Sequence, residues 1–170
     1  MKTLIVIDMQ NDFVTGTLAN PAAEAIIPFI KSECESGKYD GIIFTQDTHG
    51  DNYLEKQEGK NLPIKHCVRK TEGWEIVPEL RGFAHSYNTI EKGRFGSTQW
   101  MTIAFLPGDE ITLVGTCTDI CVISNALILK STFPETKITV LAKGCAGLTP
   151  EKHAAALEVM KSCQINVVED

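Results

Sequence analysis

Short apolar runs alternate along the chain with longer amphipathic stretches. TLIVI (3–7), GIIFT (41–45), ITLVG (111–115) and ITVLA (138–142) are apolar at nearly every position and rich in β-branched residues. Runs of this kind are strands buried on both faces, as in a parallel sheet covered by helices. YNTIE (87–91) is more polar and is expected nearer an edge, and INVVE (165–169) supplies a last strand. Between these runs, AAEAIIPFIKSEC (22–34) carries one apolar face, with Pro28 marking a kink or a late first turn. DICVISNALILKS (119–131) is apolar nearly all round, as expected of a helix lying against a sheet. The segment 149–163 opens with Thr149, Pro150 and Glu151, a strong helix-start signal. The alternation predicts a three-layer α/β/α fold: a Rossmann-like, doubly wound, mostly parallel sheet of about six strands in one domain spanning 1–170. The polar stretch 46–86 reads as extended loop with a short helix near 74–80.

In such a fold, ligands bind beyond the carboxyl ends of the strands. Asp8 follows the first run, Asp47 and His49 the second, Lys92 the third, and GTCTDICV (115–122) the fourth. An acid, a candidate metal pair, a lysine and two thiols therefore converge on one rim. Alone, Asp8 reads equally well as a turn cap, and Lys92 as a solvated lysine. Together, Asp8 can serve as general acid and base, and Lys92 can hold it ionised beside a thiol. Cys121 is expected early in the helix after the fourth strand, with Thr118 as N-cap and Asp119 next. Free N–H groups there would favour a thiolate and bind an oxyanion.

Composition narrows the partners more than the chemistry. A net charge of −6 with no basic run argues against nucleic acid or an anionic membrane, and leaves small molecules open. No apolar run approaches a membrane span or a signal-peptide core, so a cytoplasmic location is expected. There the six cysteines are expected as free thiols. Asp47 and His49 form a D-x-H pair, and Glu55, Glu58 and His66 follow. Carboxylates and imidazoles in that arrangement suit Zn²⁺, Mn²⁺ or Fe²⁺. His85 and His153 read as ordinary histidines.

IVIDMQNDF (5–13), TQDTH (45–49), EKGRFGS (91–97), GTCTDICV (115–122) and KGCAGLTPEKHAAAL (143–157) together resemble the isochorismatase-like cysteine hydrolases, and within them the nicotinamidase/pyrazinamidase group. The resemblance runs almost end to end. It implies a catalytic triad of Asp8, Lys92 and Cys121, and an oxyanion hole from the N–H groups of Cys117 and Cys121. It also implies a cis peptide between Thr116 and Cys117, with Phe13 and Phe95 against a flat small-molecule amide. Many nicotinamidases hold their metal with an aspartate and three histidines, but GDNYLEKQEGK (50–60) offers no histidine. Relatives with a glutamate imply Asp47, His49, Glu58 and His66, with Glu55 as competitor for the third place. The tryptophan that some nicotinamidases set before the last metal histidine is absent; Leu62 and Pro63 stand there, and Trp74 is the available substitute. The implied activity is amide hydrolysis through a Cys121 thioester, with a divalent metal and a homo-oligomeric assembly. Its rivals are a related amidase for carbamoyl or ureido compounds and a non-catalytic thiol protein using Cys117 and Cys121.

Overall fold

The computed structural model describes residues 1–169. Six strands form one sheet: β1 (Lys2–Ile7), β2 (Gly41–Asp47), β3 (Thr89–Lys92), β4 (Glu110–Thr116), β5 (Lys137–Ala146) and β6 (Asn166–Val168). Their order is β3-β2-β1-β4-β5-β6, and every pair is parallel. The expected doubly wound sheet is therefore present, and parallel throughout.

Alternation along β1 explains the two covered faces. Leu4 and Val6 pack with Ala23, Ile26, Ile27 and Ile30 on one side. Ile5 and Ile7 pack with Val122, Ala126, Leu129, Leu157 and Met160 on the other. All four β1 side chains are fully buried, the period of two sending successive residues to opposite layers. The helices are α1 (Asn11–Val14), α2 (Pro21–Ala25), α3 (Ile27–Glu35), α4 (Gln57–Asn61), α5 (Pro78–Arg81), α6 (Ile123–Thr132) and α7 (Pro150–Ser162). No helix among the described residues is long and apolar enough to cross a membrane.

Several elements differ from the sequence expectation. The stretch 22–34 divides into α2 and α3, with Pro28 in the first turn of α3, where a missing N–H costs nothing. The strand expected at 87–91 runs 89–92, so Lys92 ends it rather than following it. β5 continues four residues past 142, with an irregular register against β4 near Gly115. The short helix expected near 74–80 is two pieces, a 3-10 turn at Glu72–Trp74 and α5.

Thr149 caps α7 as expected, its side chain accepting from the Lys152 N–H. Thr118, by contrast, does not cap the helix after β4. That helix opens as a π-helical turn, Thr118–Val122, with Cys117 in the cap position. The Thr118 hydroxyl instead lies 2.8 Å from Nδ1 of half-buried His153 on α7.

Candidate active site

The strand order reverses between β1 and β4, and the reactive side chains gather beyond the carboxyl ends there. Asp8 leaves β1 in the left-handed region, with φ at 49°. An aspartate tolerates that conformation better than most residues. Its side chain is fully buried. Oδ1 accepts from the Thr45 hydroxyl at 2.6 Å, and Oδ2 faces the Lys92 ammonium at 2.5 Å. The same ammonium donates to the Arg94 carbonyl at 3.0 Å and lies 3.7 Å from Cys121 Sγ. Asp8, Lys92 and Cys121 are thus one buried cluster drawn from three strand ends.

Burial opposes the Lys92 charge, but Asp8, Cys121 and Asp47 outweigh it and push the ammonium's pKa up, so it stays protonated. Burial raises the Asp8 carboxyl, with Lys92 opposing. Burial also raises the Cys121 thiol well above its ordinary range, and the Asp8 charge adds to this against Lys92. Desolvation thus works against the thiolate expected at a helix start, and the Lys92 ammonium works for it.

The peptide between Thr116 and Cys117 is cis. The Cys117 carbonyl accepts from the N–H groups of Ile120 and Val122, each at 3.0 Å, and the Cys121 N–H between them is not among its donors.

Asp47, His49, Glu58 and His66 bring one ligand atom each within 4.8 Å of one another. His49 Nε2 lies 3.0 Å from Asp47 Oδ2 and 3.7 Å from Glu58 Oε1. His66 Nε2 lies 3.6 Å and 3.8 Å from the same two oxygens. A four-coordinate zinc with arms of about 2.0–2.2 Å sets its ligand atoms roughly 3.4 Å apart, so this spacing suits such an ion. His66 Nδ1 is engaged by the Ile64 carbonyl at 2.8 Å, which leaves Nε2 free to bind. Burial raises the Glu58 carboxyl, and repulsion from Asp47 adds to it, the mark of facing carboxylates that a cation would relieve. Glu55 is exposed at the end of a 3-10 turn and outside the group.

Both sets open on one cleft of about 520 Å³, walled by Phe13, Leu18, Leu62, Phe95, Ile120 and Leu148 and reaching Cys117, Cys121, Asp47, Glu58 and His66. Phe13 also packs on the His66 ring, centroids 5.6 Å apart. Trp74 is not among the walls. Its indole donates to the Thr48 hydroxyl and its carbonyl accepts from the Gln10 and Gln46 amides, so it braces the loop and leaves the tryptophan's place to Leu62. A larger hollow of about 900 Å³, bordered by Glu24, Glu72 and Glu79, contains none of the cluster and is not the site.

Three supporting residues escape a reading by strand ends. Buried Gln10 accepts from the Asp47 N–H at 2.7 Å and donates to the Asp47 carbonyl at 2.8 Å, fixing a metal ligand's backbone. Asp12 accepts from the N–H groups of Cys67 at 2.7 Å and Thr17 at 3.2 Å, tying the loop after His66 to a wall of the cleft. Asn125 binds the Cys121 carbonyl. For Asn125 the available signal was polarity out of place, a buried-helix amide in the largely apolar DICVISNALILKS; Gln10 and Asp12 stand in the polar stretch DMQNDF and gave no such signal.

A family model for the isochorismatase domain matches residues 2–169. The nicotinamidase/pyrazinamidase of Mycobacterium tuberculosis is 26% identical over 99% of this chain and 98% of its own length. The nicotinamidase of Saccharomyces cerevisiae is 25% identical, covering 99% and 100%. Among solved structures, the pyrazinamidase of Pyrococcus horikoshii in complex with zinc superposes with a TM-score of 0.79 at 28% identity, covering 99% of each chain. By fold, by motif and by a match over nearly its whole length, the chain belongs to the isochorismatase family.

Proposed function

We propose that the protein is a nicotinamidase, a cysteine amidohydrolase that converts nicotinamide and water to nicotinate and ammonia. The observation that carries this reading is a cleft reached both by Cys121, backed by the buried Lys92–Asp8 pair, and by Asp47, Glu58 and His66 of a two-carboxylate, two-imidazole ligand set. Relatives named for this activity over their full length support it.

Asp8 takes the proton from the Cys121 thiol as sulfur attacks the carboxamide carbon, with Lys92 holding the local charge balance. The oxyanion rests on the N–H groups of Cys117 and Cys121. Asp8 returns the proton to the leaving nitrogen, ammonia departs, and a thioester remains. Asp8 then deprotonates a water that attacks the thioester, and nicotinate and the free thiol are released. Phe13 and Phe95 flank the flat ring. Asp47, His49, Glu58 and His66 would hold a divalent metal, zinc in our reading before manganese or iron, which supplies a Lewis acid for the ring nitrogen. Homo-oligomeric assembly in the cytoplasm completes the proposal, and six free thiols suit that reducing compartment.

The test is ammonia release from nicotinamide by the wild type and by Cys121→Ala, each with and without a chelator. Release is expected from the metal-loaded wild type only. An intact substrate after incubation with freshly reduced, metal-loaded wild type would sink the reading.

A further inference from the structure

Asn125 is fully buried on α6, one turn beyond Cys121. Its Nδ2 donates to the Cys121 carbonyl at 2.7 Å and to the Phe95 carbonyl at 3.2 Å. Its Oδ1 accepts from the Ser97 N–H at 2.9 Å and from the Trp100 indole at 2.7 Å. A side-chain amide offers two donor hydrogens and two acceptor lone pairs, and all of them are engaged. The other buried residues of α6, Ala126 and Leu129, are apolar, so helix packing alone would be served by an aliphatic side chain. Burying an amide is offset only when its bonds are made, and here they join two particular segments.

One segment is the π-helical turn bearing Cys121. The other leads from Lys92 through Phe95 to Trp100. At its near end the Lys92 ammonium holds the Arg94 carbonyl, and at its far end Asn125 holds residues 95, 97 and 100. Between them the chain lies against α6. A Cβ on Gly96 would fall 2.5 Å from Ile128 Cδ1 and 3.2 Å from the Ser124 carbonyl carbon. The 3.7 Å contact between Lys92 and Cys121, and the Phe95 wall over the cleft, therefore both depend on how this segment sits against the turn.

We propose that Asn125 is a positioning residue whose amide clamps the Phe95 segment to the Cys121 turn, setting the thiol's register against Lys92 and holding the Phe95 wall closed. Its catalytic half rests on the reading of Cys121 as the nucleophile. Cutting the clamp makes the thiol easier to reach and less productive.

The experiment compares Asn125→Ala with Leu129→Ala, a buried apolar truncation one turn further along α6 whose side chain can make no hydrogen bond to either segment. Two quantities are read on the full chain: kcat and KM for nicotinamide, and the rate of Cys121 alkylation by iodoacetamide, resolved from Cys117 by tandem mass spectrometry. In Asn125→Ala, kcat is expected to fall at least about ten-fold, KM to rise as the wall loosens, and alkylation to accelerate at least about ten-fold. Leu129→Ala is expected to lose thermal stability while both readouts stay near wild type. Should the alanine variant not fold, Asn125→Thr, which keeps one hydroxyl, is expected to move both readouts in the same directions. Alkylation or kcat within about two-fold of wild type, or equal movement in Leu129→Ala, overturns the proposal. The alkylation arm needs no turnover. A wild type inert toward nicotinamide would therefore fail the nicotinamidase reading alone and leave the clamp to be judged by its thiol.

Discussion

Cys117 and Cys121 share one turn and one cleft, but only Cys121 touches the lysine ammonium. Cys121→Ala is therefore expected to lower turnover at least about a thousand-fold. Cys117→Ala, which keeps the backbone N–H, should lose less than about ten-fold, and steady-state ammonia release measures both. The thiol's proton affinity gives a second, signed expectation. Burial and the Asp8 charge raise it, and Lys92 lowers it. Neutralising the carboxylate in Asp8→Asn should thus move the alkylation midpoint of Cys121 down in pH, and Lys92→Met should move it up. The profile is read on chelator-treated protein so that no ion contributes, and shifts of the same sign would refute the arrangement. The meeting of Asp8, Lys92 and Cys121 was legible in the sequence because each ends or follows a strand-like run, where a parallel sheet brings the carboxyl ends to one rim. Gln10 and Asn125 were not. What they bond to lies 37 and 64 residues away in one case and up to 30 in the other, separations that no local periodicity encodes.

Short elements carry what the strands do not, and they were the least legible. Residues 57–61 read as loop because five residues with a glycine in the middle have little helix preference, yet they form α4 and turn Glu58 toward His49 and His66. The glycine explains the fit. A Cβ on Gly59 would lie 2.1 Å from the Tyr53 carbonyl oxygen, and Tyr53 is itself buried against both histidine rings, at 4.7 and 5.0 Å. Gly59→Ala must push α4 away from that turn and take Glu58 with it. Zinc affinity, measured by competition with a chromophoric chelator, is expected to fall at least about ten-fold in Gly59→Ala and in Glu58→Gln. Exposed Glu55→Gln should leave it unchanged. Equal losses at positions 55 and 58 would refute the role of α4. The π-helical turn was hidden for a related reason: TDICV has the same residues whether it closes i+4 or i+5 bonds, and in the fold it packs against α7, α6 and β4.

At the scale of the whole chain, the ligands are unevenly distributed. Asp47 ends β2, His49 follows it, and Glu58 and His66 belong to the long connection between β2 and β3; none comes from β4, β5 or β6. The reversal of strand order brings the Cys121 half against this half, and the sequence announced that reversal through its buried runs. The long connection stayed unread because its order comes from contacts between residues distant in sequence, such as the His49 bridge to Val68 and the Asp12 bond to the Cys67 N–H. An ion held by four side chains there binds the folded chain and not the unfolded one, so it adds stability by mass action, about 2.7 kcal/mol at a hundred times its dissociation constant. For a chain of this length that corresponds to a rise in Tm of roughly 5–10 °C. Zinc is expected to raise Tm by that amount, a chelator to reverse it, and His49→Ala to abolish the response. Hydrogen exchange locates the same effect. Amides of residues 49–67 should gain protection on zinc binding, while those of β4 to β6, which supply no ligand, should not change. Protection gained equally across both halves would mean that the ion acts on the chain as a whole, and that the connection is not the element it orders.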